Sequence, residues 1–276
     1  MSQGTGGPRA FKQFEAESWS HRAETYGEVL GAMTARVAEP LLDAAGVRHD
    51  MRVLDIATGP GYAAERAATR GARPIGVDIS EGMLDVARAR QPELEFRRAD
   101  AEDLPFDAGT FDAAVGGFVL NHLPRPERAI EECARVLGPG GAVAFSVWDR
   151  PERNRLQGVV SDAIEDVGVE RPPELEGGPD PYRFADDGEF ESLLRDAGFA
   201  ETQVETLSLS LTVPDPETLW EGFMGSSVRT RAVVEAQRGD VRRRIREAFE
   251  HRVEAHRRRD GLELPVVIKL ASGRRP

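Results

Sequence analysis

Val53-Leu54-Asp55-Ile56-Ala57-Thr58-Gly59-Pro60-Gly61-Tyr62 is an apolar strand that ends in an acid and breaks into a glycine loop opening a helix. A buried strand delivers Asp55 to the edge of a sheet. Two glycines let the backbone approach a ligand without side-chain clash, and the following helix starts with NH groups that have no partner inside it. Two further acids stand in equivalent places: Asp78 closes Pro74-Ile75-Gly76-Val77-Asp78, and Asp100 closes Leu94-Glu95-Phe96-Arg97-Arg98-Ala99-Asp100. An isolated strand-end carboxylate often only caps the next helix. Three in sequence describe a small-molecule cradle.

Around this stretch, from Met51 to about Trp148, apolar runs alternate with helical patterns, the signature of a parallel sheet covered on both faces. Strands are predicted near 51–56, 73–78, 94–99, 112–118 and 142–148, and helices near 61–70, 81–90 and 126–137. Ser80 suits an N-cap, Pro126 a first turn, and Gly138-Pro139-Gly140-Gly141 a helix stop. Residues 8–46 read as helical, with an apolar stripe of Leu30, Met33, Val37 and Leu41 and a kink or break at Pro40. Asp186 to Ala197 reads as a helix, Glu201 to Val213 as a strand, and Leu262 to Leu270 as a last strand whose Pro265 suggests an edge or strand-entry position. Between 149 and 185, Arg171-Pro172-Pro173 and Gly177-Gly178-Pro179-Asp180-Pro181 predict mostly loop. From 214 to 261, Asp215, Ser226 or Ser227, and Asp240 offer caps for three helices, the last with Val241, Ile245, Phe249 and Val253 as a buried stripe.

The predicted fold is therefore α/β: a seven-stranded, mostly parallel, Rossmann-like sheet. A helical cover (1–50) precedes a core (51–213 and 262–276), and a helical cap (214–261) is inserted before the last strand. The chain has 276 residues and a net charge of -12, which argues against a nucleic-acid partner. Its one cysteine, Cys133, falls in a helical pattern and reads as a small buried hydrophobe. The start, Met1 to Gly7, has no leader pattern and no apolar run approaches a membrane span, so a cytoplasmic protein without membrane partner is expected. A homodimer is compatible with these residues but not required by them.

Gly59-x-Gly61-x-x-Ala64, with Asp78 downstream, also fits a relaxed dinucleotide fingerprint, which keeps an NAD(P)-dependent oxidoreductase in view. Pro60 has no NH to offer a pyrophosphate, and Asp55 would sit near a doubly anionic group. A ligand bearing an ammonium and a sulfonium meets no such conflict.

The ordered set of motifs resembles the class I S-adenosylmethionine-dependent methyltransferases, in the small-molecule branch related to ubiquinone and menaquinone C-methyltransferases. It runs through Val53 to Gly61, Gly76-Val77-Asp78-Ile79-Ser80 with Met83-Leu84, Arg98 to Phe106, Phe111-Asp112-Ala113-Ala114-Val115 and Arg135-Val136-Leu137-Gly138-Pro139-Gly140-Gly141. The resemblance implies S-adenosyl-L-methionine as cofactor and methyl transfer to a small-molecule acceptor. It places Asp55, Ala57, Gly59 and Gly61 beside the methionine part and Asp78 on the ribose hydroxyls, where a carboxylate accepts two charge-assisted hydrogen bonds. Ile79 and Met83 would flank the adenine, Asp100 and Ala101 would meet its polar edge, and Phe118 would lie beside the transferred methyl. A cofactor-binding but non-catalytic regulatory subunit would carry the same motifs.

In-line displacement at a sulfonium needs positioning more than a base. If a base acts, it is His122, which leaves strand 4 in Gly117-Phe118-Val119-Leu120-Asn121-His122. Trp19, Tyr26, Trp148, Trp220 and Phe223 are candidates for substrate or lid contacts. No metal is expected, since strand 4 ends in Gly116-Gly117-Phe118 without a carboxylate, and no Cys/His cluster exists. The family signature for amino-group methylation of bases and glutamine is also missing after strand 4. Arg242-Arg243-Arg244-x-Arg246 and Arg257-Arg258-Arg259 interleave with acids and read as a solvated face.

Overall fold

The computed structural model describes residues 7–169 and 178–276. Met1 to Gly6 and the Arg171-Pro172-Pro173 run lie outside the described residues. Eight strands, β1 (Arg52–Ile56), β2 (Arg73–Asp78), β3 (Glu95–Arg98), β4 (Phe111–Gly117), β5 (Leu137–Trp148), β6 (Ala200–Val213), β7 (Arg257–Arg258) and β8 (Gly261–Arg274), form one sheet. Its order is β3-β2-β1-β4-β5-β8-β6, with the short β7 pairing to β8. β1 pairs in parallel with β2 and β4, and β8 runs antiparallel between β5 and β6. The strand order reverses between β1 and β4, so their carboxyl ends open a crevice where α/β folds bind ligands.

Helices α3 (Tyr62–Thr69), α4 (Glu81–Arg90) and α5 (Pro126–Val136) are the crossovers among β1 to β5. α4 starts as its sequence suggests, with Ser80 Oγ accepting from the Met83 NH. Fully buried Leu54, Ile56, Ile130, Cys133 and Phe145 share one core cluster, and Val53, Ala113, Val115 and Leu42 belong to another.

The N-terminal segment departs from a break at Pro40. α1 (Pro8–Arg22) ends early, a π-helical turn covers Gly27–Gly31, and α2 (Ala32–Ala44) runs through Pro40. Burial of Met33, Val37, Leu41 and Leu42 in α2 outweighs the one hydrogen bond that a proline removes. Within the 149–185 region, expected to hold much loop, lies α6 (Arg155–Val167), with Leu156, Val159, Val160 and Ala163 buried at helical spacing.

α7 (Asp187–Asp196) packs on the β6–β8 side of the sheet. Beyond β6 come α8 (Pro216–Ser226), capped by Asp215, α9 (Arg229–Glu235) and α10 (Gly239–Val253). Neither serine caps α9, whose N-cap is Val228, and Asp240 sits inside the first turn of α10. These helices share a buried cluster with α2, α6 and the outer halves of β6 and β8, including Met33, Leu156, Ile245, Phe249 and Leu264. β8 is an interior strand. Pro265 is tolerated because pairing with β5 begins only at Ile268, leaving the missing NH outside that ladder.

Candidate functional site

Thr58 NH bonds to Val77 O at 2.9 Å, and Gly59 NH bonds to Asp78 Oδ2 at 2.9 Å, so the loop after β1 is tied to the end of β2. Gly59 adopts φ +53, and a side chain there would meet nothing within 4 Å; the position is a backbone wall facing open space. Ala57 (φ 51) and Phe118 (φ 58) are held in the same left-handed region without being glycine, an arrangement that concentrates at ligand sites.

Asp55 does something different from what its motif suggests. Its Oδ2 accepts from Thr58 Oγ1 at 2.6 Å and from Ala64 NH at 3.0 Å, fastening the glycine loop to the first turn of α3. The carboxylate is buried, and that burial pushes its pKa up to about 7 against the two hydrogen bonds. Neither Asp55 nor Gly61 lines the central cavity; Gly61 instead packs near Phe96, whose Cζ would lie 3.0 Å from an added Cβ.

That cavity has a volume of about 460 Å³ and brings together Ala57, Gly59, Asp78, Ile79, Met83, Asp100, Ala101, Phe118 and His122. Asp78 Oδ1 accepts from Ser80 NH at 2.9 Å, leaving each carboxylate oxygen one backbone donor and room for another. Burial raises its pKa, opposed by the Ser80, Gly59 and Ile79 NH groups. Asp100 Oδ1 accepts from Glu102 NH at 2.9 Å, while its Oδ2 meets Lys12 Nζ at 2.5 Å. Lys12 also reaches the fully buried Glu102 side chain at 2.7 Å.

At the other end, Phe118 and Trp148 stack with ring centroids 4.0 Å apart and planes 25° from parallel. Just before this pair, Gly116 has no room for a side chain, because a Cβ there would lie 2.3 Å from the Phe145 ring. Trp19 meets His122 edge-on at 5.2 Å and Tyr26 at 5.6 Å. The buried Tyr26 hydroxyl bonds to Thr34, and burial pushes its pKa up to about 12. Of the five aromatic candidates, Trp19, Tyr26 and Trp148 line the cavity. Trp220 and Phe223 do not: Trp220 packs on Phe249 at 5.0 Å under Arg246, and Phe223 is core. The apolar stripe of α10 draws them into the cap interior.

Several cavity residues carried no motif. Lys12, Glu15 and Trp19 lie on one face of α1, at spacings of three and four that a helical reading of 8–22 could have grouped. Arg229 enters from α9, with Nε 3.2 Å from Glu15 Oε1 and Nη1 3.1 Å from Pro179 O. Glu15 would be raised by burial, but the charges and hydrogen bonds of His122 and Arg229 hold it below the usual carboxylate range. Among the described residues no group of three His, Cys, Asp or Glu side chains could hold a metal ion.

The carboxylate of Asp78, the open backbone wall at Gly59 and the apolar Ile79 and Met83 fit an adenosine bearing a sulfonium side chain. Residues 54–145 match a methyltransferase domain family. The chain is 30% identical over 187 residues to the demethylmenaquinone methyltransferase of Paenarthrobacter aurescens, covering 63% of this chain and 72% of that protein. Other curated relatives are matched over only 42% and 50% of their length. In structure it resembles a SAM-dependent methyltransferase of Thermotoga maritima (TM-score 0.55, 19% identity), covering 95% of this chain and 100% of that one. It also resembles phosphoethanolamine N-methyltransferase 2 of Haemonchus contortus in complex with S-adenosyl-L-methionine (TM-score 0.53, 17% identity), over 87% of this chain and 53% of that one. The structural likenesses speak to the fold.

The chain belongs to the class I S-adenosylmethionine-dependent methyltransferases, on the side of the quinone methyltransferases. S-adenosylmethionine is its cofactor, and methyl transfer is its activity. No described helix is long and apolar enough to cross a membrane.

Proposed function

We propose that the protein methylates a small, partly apolar acceptor held between the cofactor motifs and a cover made by residues 1–50 and 214–261. The observation that carries this is the continuity of the cavity. One cavity is lined by the Asp78 and Asp100 carboxylates, by the Phe118–Trp148 stack and by Ile164, Tyr182, Val228 and Val233. An aromatic and aliphatic compartment suits an apolar ring, with a few polar groups to orient it.

When bound, the cofactor supplies an electrophilic methyl group on a sulfonium. The protein's part is then to hold the ribose through Asp78, to flank the adenine with Ile79 and Met83 and to place its polar edge at Asp100 and Ala101. The aromatic pair excludes water from the transfer coordinate. The chemistry asks for no metal. The net charge of -12 favours a free metabolite over nucleic acid, and the reading as a cytoplasmic enzyme rests on sequence alone.

The test supplies methyl-labelled S-adenosylmethionine to the protein together with separated cell fractions. Label in the low-molecular-weight filtrate is the expected result. Label only in the protein or RNA fraction overturns the acceptor class.

A further inference from the structure

Among the described residues, the charged side chains lining the cavity are Lys12, Glu15, Asp78, Asp100 and Arg229, with His122 beside them. All but one are answered from within the protein. Lys12 Nζ meets Asp100 at 2.5 Å and Glu102 at 2.7 Å, so Glu102 still holds the ammonium when Asp100 turns to a ligand. Arg229 Nε lies 3.2 Å from Glu15 Oε1, and His122 Nδ1 lies 2.9 Å from Glu15 Oε2. Asp78 alone has only backbone donors, the Gly59 and Ser80 NH groups, and the ribose takes up its remaining capacity.

The hydrogen-bonding capacity left over on the cavity wall is neutral. Gln157 and Ser161 stand one turn apart on α6, Ser227 ends α8 and Thr230 lies in the first turn of α9; all four line the cavity. Gln157 Oε1 accepts from Asn154 Nδ2 at 3.5 Å, while its NH₂ bonds to no described residue. The Ser227 and Thr230 hydroxyls likewise have no partner among the described residues. Ser161 hydrogen-bonds to the Tyr182 hydroxyl, whose pKa burial raises, so that the phenol stays uncharged at neutral pH.

We propose that the acceptor is an uncharged molecule, and that Gln157 is a specificity-determining residue whose NH₂ donates to a carbonyl or hydroxyl oxygen on it. The proposal deepens the small-molecule methyltransferase reading and rests on it. A charge moved out of water is strongly disfavoured unless an opposite charge receives it. An anionic acceptor finds both cations already held by acids. A cationic one finds Glu15 held by Arg229 and Asp78 engaged with the ribose, and it is repelled by the sulfonium. A neutral molecule with a polar oxygen meets no such cost, and the amide and hydroxyl groups on α6, α8 and α9 can orient it.

Calorimetry with S-adenosylhomocysteine comes first: absence of binding to the native protein breaks the methyltransferase reading itself. With that ligand saturating, three naphthalene probes of one shape are titrated, a carboxamide, a carboxylate and an aminomethyl derivative. The carboxamide should bind at least about 30-fold more tightly than either charged probe. A charged probe that binds as tightly, or no binding by any of the three, overturns the uncharged assignment while leaving the methyltransferase reading in place. Gln157→Leu should weaken the carboxamide about fivefold, the loss of one neutral hydrogen bond, and leave naphthalene itself unchanged. Gln157→Arg puts a cation on the same wall and should tighten the carboxylate about tenfold. Carboxamide affinity unchanged in the first variant, or carboxylate affinity unchanged in the second, overturns the role of Gln157. S-adenosylhomocysteine binding retained in both shows that they keep the fold, and its loss in both makes Gln157 a structural residue.

Discussion

The two halves of the cavity are built by different rules. The cofactor half comes from the ends of β1 and β2 and from Asp100, within about fifty consecutive residues, and each part is a local device: a glycine loop, a strand-end carboxylate, a capped helix. The half proposed for the acceptor is lined by Glu15 from α1, His122 after β4, Trp148 from β5, Tyr182 from a loop and Arg229 from α9. Their partners lie 107 and 214 residues apart in the cases of Glu15 with His122 and Glu15 with Arg229. A ligand whose recognition is local leaves a motif. One whose recognition is assembled over the whole chain leaves only scattered side chains.

The largest effect expected from that contrast lies in Asp55, a motif residue whose role is structural. Its pKa rises from 3.8 to about 7 on folding because the carboxyl is buried. Below pH 3.8 it is protonated in both states. Between 3.8 and about 7 the unfolded chain ionises first, so stability falls as pH rises and then levels off. The contribution reaches on the order of 4 kcal/mol. Asp55→Asn keeps an oxygen for Thr58 and Ala64, so the difference between variant and native stability should grow in the variant's favour from pH 4 to 7. Urea denaturation at several pH values measures it, and parallel curves would assign the carboxylate another role.

Asp78→Ala should cost about 3 kcal/mol in S-adenosylhomocysteine affinity, roughly 100-fold by calorimetry, since two charge-assisted hydrogen bonds go with it. Retained affinity would remove the local rule from the cofactor half. The aromatic residues divide the acceptor half. Trp148→Ala opens the compartment and should raise the acceptor KM about tenfold. Trp220→Ala should lower stability by about 1–2 kcal/mol, with kcat/KM within about twofold of native, because Trp220 packs on Phe249 outside the cavity. Equal kinetic effects would mean that the cap interior and the cavity are one unit.

The smallest effect belongs to the seam between the halves. Lys12 bonds to Asp100, the carboxylate that the resemblance offers to adenine. Lys12→Ala should tighten S-adenosylhomocysteine about threefold, as expected for release of a mostly screened ion pair. Unchanged or weaker binding would mean that Lys12 and the cofactor do not compete.

The β1 to β5 core was legible because alternating apolar runs and the Ser80 cap are local signals, whereas the Gly138 to Gly141 run expected to stop α5 lies inside β5. α6 was not, because the prolines and glycines beyond it dominate a window that also holds Leu156, Val159, Val160 and Ala163. Pro40 misled for the opposite reason: its local penalty is real, but the buried side of α2 overrides it.

The sequence, through the family its ordered motifs resemble, pointed to the donor. Three strand-end acids and a proline-interrupted glycine loop are set by period-2 and period-3.6 patterning, and these act over distances shorter than one βαβ unit. Only the tertiary structure decided that Asp55 fastens the loop and stands outside the cavity lining, and that Glu15, His122 and Arg229 meet in one corner. Both outcomes depend on which side chains are desolvated together. Burial of charge is a property of the packed molecule, fixed by contacts between segments that the chain itself keeps far apart.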